Sequence, residues 1–173
     1  MSLSLYAATI PGQLQILGSM ARLVTKAAAW CEEHKLAPDD LIQAQLAPDM
    51  QGFGYQIKST AVHSIGAIEG VRKGVFSPDM TPPPGTFAAL AARVTETIAA
   101  LEAIEPAEVD GFMGKDMRFE FGERRMDFTA ENFLLSFSQP NFYFHATTAY
   151  GILRHKGLPI GKRDFTGRVR VKA

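Results

Sequence analysis

The chain has 173 residues, 46% of them apolar, which suits one domain with a sizeable core. Its 18 basic and 18 acidic side chains cancel, so it lacks the net positive field of a protein built around nucleic acid or acidic lipid. One cysteine excludes an internal disulfide, and no run approaches the roughly 18 apolar residues needed to span a bilayer.

The N-terminal stretch has no basic residue before Arg22 and no long apolar core, so it does not read as a secretory signal. With the lone cysteine, this predicts a cytoplasmic protein. A first helix is predicted from near Pro11, a residue tolerated in a first turn, to about Lys35. Leu14, Leu17, Ala21, Val24 and Ala28 recur in it at spacings of three and four. Cys31 lies inside it, in AAAWCEEHK, with no adjacent base to lower its pKa, and reads as structural. The segment LAPDDLIQAQLAPDM, 36–50, reads as a loop holding a short helical turn. A second helix is predicted from about Met50 to Lys73, striped by Phe53, Ile57, Ala61, Ser64, Ile68 and Val71.

VFSPDMTPPPG, 75–85, is too rich in proline to be helix interior. Thr86 then caps a third helix carrying Phe87, Leu90, Val94, Ile98 and Leu101. Between 115 and 129 the period changes: MRFEF and RRMDF alternate around GE, which predicts a β-hairpin. Thr129 is placed to cap a short helix, AENFLLSFS, leading to Pro140. A fourth long helix runs from about Pro140 to Lys156 and is closed by Gly157 and Pro159. From Arg154 onward there are seven basic residues against one acid, Asp164. That segment reads as a solvated tail, with an anion site or a self-association arm as the sharper alternatives. Four amphipathic helices predict an all-α four-helix bundle, one domain over 1–173, with the hairpin inserted before the last helix.

Four histidines are the candidates for chemistry. His145 and His155 lie ten positions apart on one helix, which is about 80° around the axis and about 15 Å along it. Imidazoles sharing an ion must each approach it to about 2.1 Å, so these two cannot share one. His155, between Arg154 and Lys156, reads as a solvated helix end, and His34 reads as exposed. His145 sits among Phe142, Phe144 and Tyr150, and His63 lies mid-way along the second helix. Both can face a bundle interior. Three readings stand for them: core histidines bonded to a hydroxyl such as Ser59, Thr60 or Tyr150, acid/base or ligand-binding groups, or metal ligands. The positions one turn beyond His145 hold Thr148 and Ala149, neither a strong ligand for a transition metal.

The run PNFYFHATTAYGILRHKGLPIGKRDF, 140–165, together with LAPDM at 46–50, resembles a bacterial family of unknown function in the DinB/YfiT-like superfamily. The resemblance covers nearly the whole chain and implies a four-helix bundle, often dimeric. It also implies a divalent metal held by one histidine of the second helix and an H-x-x-x-H pair of the fourth, used by some members as thiol transferases or hydrolases. Carried over, His63 matches the second-helix ligand and His145 the first of the pair, whereas the next ligand position is Ala149. Asp49 and Glu69 are the acids nearest His63 in sequence, and neither is spaced to join it on one helix face.

No Gly-rich phosphate loop, cysteine pair or G-x-S-x-G motif is present. The first expectation is therefore a cleft near His63 and His145 that binds a small molecule without a tightly held metal. Thr148, Tyr150 and Arg154 would supply polar contacts. The second is a metal-dependent transferase or hydrolase with His63 and His145 as ligands. The third is a non-catalytic homodimer paired through the hairpin edges or the alternating tail RVRVKA. No catalytic residue is assigned, no cofactor is expected, and neither nucleic acid nor membrane is an expected partner.

Overall fold

The computed structural model describes residues 3–172. Four long helical stretches form the bundle: α1 (Leu5–His34), the pair α3 (Phe53–Val62) and α4 (Ile65–Lys73), α5 (Phe87–Glu102), and α8 (Gln139–His155). Short helices α2 (Asp39–Ile42), α6 (Pro106–Asp110), α7 (Ala130–Asn132) and α9 (Lys162–Thr166) fill the connections. A small sheet is made of β1 (Val75–Phe76), β2 (Asp116–Phe121) and β3 (Arg124–Thr129). The fold is thus an all-α bundle with a small sheet insertion. The core between the helices holds fully buried Ile10, Leu17, Met20, Leu23, Phe53, Ile57, Leu90 and Phe142. No helix among the described residues is long and apolar enough to cross a membrane.

Three predicted boundaries move. The first helix begins at Leu5, not near Pro11, and Pro11 lies inside it. Ser4 caps it by accepting the Ala7 N–H at 3.2 Å, and Asp110 accepts the Tyr6 N–H at 2.9 Å. Those bonds, with buried Leu5, Thr9 and Ile10, outweigh the one backbone bond that proline removes.

The second helix breaks. His63 closes α3, and Ser64 takes φ −116° and ψ −92° before α4 begins. Hydroxyls take over the carbonyls near the break. Thr60 donates to Ile57 O, Ser64 to Thr60 O, and Ser138 to His63 O at 2.9 Å. The helix leading to Pro140 does not stop there either. It passes through a π-helical segment, Phe133–Ser138, straight into α8.

The predicted hairpin forms, with Asp116↔Thr129 through Phe121↔Arg124 paired antiparallel. Gly122 at φ +57° makes its tight turn. It has an addition: Val75 and Phe76, read above as loop, pair parallel to β2. The end of the chain is also more ordered than a solvated tail. Asp164 accepts the Gly161 N–H at 2.7 Å and meets Lys26 at 2.6 Å, and Gln15 donates to Thr166 O at 2.7 Å. These bonds seat α9 on α1. Arg168–Lys172 is exposed and irregular, and Ala173 of RVRVKA lies outside the described residues.

Candidate functional site

His63 and His145 meet between α3 and α8. Their ring centroids are 5.5 Å apart and their planes 16° from parallel. His145 Nδ1 lies 2.7 Å from Gln56 Oε1, and Gln56 Nε2 donates to Gln51 O at 2.9 Å. That second bond fixes the amide, so Oε1 must accept. His145 Nδ1 therefore carries the proton and Nε2 is left as a bare acceptor. His63 Nδ1 is buried and has no hydrogen-bond partner.

Both rings are held neutral. Burial, helped by the neighbouring His145, pushes His63 from its ordinary 6.5 down to about 3, and burial pushes His145 down to about 4.

Aromatic rings wall the pair. Phe76 and Phe137 lie 5.6 and 6.0 Å from the His63 ring, and Tyr55 lies 6.0 Å from His145. Phe119, on the core face of β2, packs tilted against Phe137 at 5.0 Å. Together they border a cavity of about 220 Å³ whose other lining groups include Ser59, Asp79 and Asn141. Asn141 spends its amide N–H on Phe137 O at 2.7 Å, which leaves its amide oxygen as an acceptor.

Lys58 reaches the same wall from within α3, with only 4% of its side chain exposed. It donates to Asp79 O at 2.8 Å and to Thr81 O, and it meets the Asp79 carboxylate at 3.1 Å. Burial works against ionising Asp79, but bonds from Thr81 and Lys58 hold its carboxyl below the ordinary range. Asp79, the one carboxylate on the cavity wall among the described residues, is therefore already engaged.

The other expected contacts are elsewhere. Thr148 is buried one turn along α8 and does not line the cavity. Tyr150 packs edge-on against Phe165 at 5.8 Å, and Arg154 donates to Leu158 O at 3.0 Å. Both serve the docking of the C-terminal segment. Ser59 lines the cavity, but Gln56, not a hydroxyl, satisfies His145. His34 and His155 are exposed helix ends, and the His34 ring stacks on Trp30 at 3.6 Å. Asp49 and Glu69 are exposed and away from the pair. Cys31 is 3% exposed, and burial, with Asp40 nearby, pushes its thiol pKa up, as suits a structural cysteine.

Gln56, Lys58, Asp79 and Asn141 were not anticipated. A signal for one of them exists: Gln56, Ser59 and His63 stand at i, i+3 and i+7, a polar stripe along one face of the helix.

The donor set does not fit a three-histidine metal site. Ala149 is fully buried at the position of the third ligand, and Asp79 is committed to Lys58 and Thr81. Among the described residues no three His, Cys, Asp or Glu side chains are grouped to hold an ion. A wider apolar groove of about 870 Å³ lies between α1 and α5 beside Cys31 and shares no lining residue with the His63–His145 cavity.

A family model described as "Domain of unknown function (DUF1993)" matches residues 5–166. Among solved structures, the chain is similar to a DinB family member protein from Shewanella denitrificans, at 26% identity and a TM-score of 0.80. The similarity covers 98% of this chain and 95% of that one. No curated protein matches.

Proposed function

The chain belongs to the DUF1993 family, of DinB-like fold, and from that premise we propose that its polar cavity binds a small uncharged molecule, without a tightly held metal. The observation that carries this reading is the pair of neutral imidazoles, one of which keeps a buried nitrogen unsatisfied. Such an unsatisfied group costs about 1–3 kcal/mol, and departures of that kind gather at functional sites. His145 Nε2 and the Asn141 amide oxygen accept, so the ligand brings an O–H or N–H. Phe76, Phe119 and Phe137 suit a flat apolar body beside that donor. Neutral histidines offer an anion no ion pair, and the engaged Asp79 offers little to a cation. At about 220 Å³ the cavity is below the roughly 300 Å³ of sites for drug-sized molecules, so the ligand is small. No reaction is assigned.

Phenol, benzoate and benzylamine titrated separately into ¹⁵N-labelled protein test the reading. Phenol should shift the ring nitrogens of His63 and His145 saturably, and His145→Gln should abolish the response. Benzoate and benzylamine should leave both rings unmoved. No saturable shift with phenol, or equal shifts at exposed His34 and His155, would sink the proposal. The metal-dependent transferase or hydrolase reading retains one supporting observation, the Gln56 bond that leaves His145 Nε2 free as a ligand. Stoichiometric metal in protein purified without a nickel column, lost in both His63→Ala and His145→Ala, would favour it.

A further inference from the structure

We propose that β3 pairs antiparallel with β3 of a second copy about a twofold axis at Met126, setting Arg125 opposite Asp127 of the partner subunit. This is independent of what the cavity binds. The sheet order is β1-β2-β3, so β2 is paired on both edges and β3 on one. Among the described residues, the outer edge of β3 is therefore a free row of backbone donors and acceptors.

The register within the hairpin says which groups lie on that edge. Ala130 N–H bonds to Lys115 O at 2.8 Å, which makes 130 and 115 a hydrogen-bonded pair. Such pairs alternate in an antiparallel ladder, so Phe128, Met126 and Arg124 turn their backbone groups toward β2. Arg125 and Asp127 turn theirs outward. The Arg118 N–H, bonded to Gly74 O on the β1 side at 3.0 Å, agrees with this phase.

Arg125 meets Asp127 of its own strand at 3.1 Å and Asp127 meets Arg118 at 3.1 Å, all with exposed side chains, so a facing copy would extend this network, and charge selects one register. Twofold pairing centred on Arg125 opposes two arginines, and pairing centred on Asp127 opposes two aspartates. Both place like charges face to face across the strands, which is unfavourable. Registers centred between residues set outward-facing groups against inward-facing ones and lose the ladder. Of the three outward residues of β3, Arg125, Asp127 and Thr129, pairing centred on Met126 alone sets the two charged ones opposite each other with opposite charge. Both pairs then exchange backbone bonds. Edge charges commonly block pairing; in this order they make the edge complementary to itself in one register. Met126, 41% exposed at the rim of the sheet, would meet its own copy at the axis. So short an interface is expected to associate in about the micromolar range.

Sedimentation equilibrium of the full chain from about 1 to about 200 µM tests this. The wild type should be in monomer–dimer exchange. Arg125→Asp and Asp127→Arg each put like charges opposite at both pairs and should each weaken self-association about tenfold or more. An equimolar mixture of the two variants restores opposite charges at both pairs and should dimerise as the wild type does. Far-UV circular dichroism checks that each variant is folded, and the mixture serves as its own rescue. A wild type that stays monomeric, leaving the edge to another protein's strand, overturns the proposal. So does a dimer indifferent to both changes, or a mixture that remains monomeric.

Discussion

Acidification should destabilise this protein through two residues, its buried histidines. His63 and His145 hold their pKa values at about 3 and about 4 in the fold, against an ordinary 6.5 in the unfolded chain. A depressed histidine contributes stability that is complete above its unfolded pKa and is lost as the pH falls toward its folded one. Between about pH 7 and pH 5 each unfolded ring gains a proton that the buried ring refuses. At about 1.36 kcal/mol per pH unit, this removes about 2 kcal/mol per histidine and about 4 kcal/mol for the pair. Asp79, the carboxylate that borders the cavity among the described residues, is bonded to Lys58, so it is not free to stabilise an imidazolium. Asp79, Glu108, Asp127, Glu131 and Asp164 all titrate below their ordinary range and leave this window to the histidines. Urea denaturation at the two pH values reads the effect, compared with a His63→Phe/His145→Leu double variant. The comparison concerns the pH dependence, not the absolute stability. The double variant should lose most of the dependence. Equal dependence in both proteins, or a wild-type loss below about 1 kcal/mol, would refute the reasoning.

Lys58→Met should cost about 2–4 kcal/mol, because it strands the Asp79 and Thr81 carbonyls and leaves the Asp79 carboxylate without its cation. The urea midpoint measures the loss, and faster proteolysis within 77–85 would locate it. Gly70→Ala should destabilise by about 1 kcal/mol, since overpacking outweighs the gain in helix propensity of roughly that size. The new methyl would stand 3.0 Å from Phe76 Cβ and 3.2 Å from its ring, and thermal denaturation reads the loss.

Helical periodicity located the four long helices because each buries one stripe, and the Thr86 cap was legible because its chemistry is local: its hydroxyl accepts the Ala89 N–H at 3.1 Å. The hairpin was legible for the same reason, with its alternation and GE turn in adjacent residues. What escaped depends on partners distant in sequence. β1 has two residues and exists only because β2 pairs with it. The early start of α1 rests on Asp110 and on burial, and α9 rests on Gln15 and Lys26 of another helix. A proline near a helix start is ordinary, and nothing local says that Pro11 stands inside one.

The site follows the same division. His63 and His145 pair through the resemblance, whereas Thr148, Tyr150 and Arg154 lie near His145 along one helix but are turned elsewhere. What assembles the site is irregularity in both helices at one level. A regular α8 extended backward would need an N–H from Pro140 for Ser136 O, which proline lacks. The π-helical segment 133–138 stands just before that position and carries Phe133, Phe137 and Ser138 to the cavity side. Opposite it, α3 ends at His63, and the carbonyl freed by that break is taken by the Ser138 hydroxyl. One bond thus ties the broken helix to the widened one, beside a histidine whose ring nitrogen is unsatisfied. A straight second helix would have spent the His63 carbonyl on its own next turn, leaving Ser138 without this partner across the site. Interrupted helices that meet at an unsatisfied polar group are where a fold departs from its most stable form, and such departures gather at functional sites.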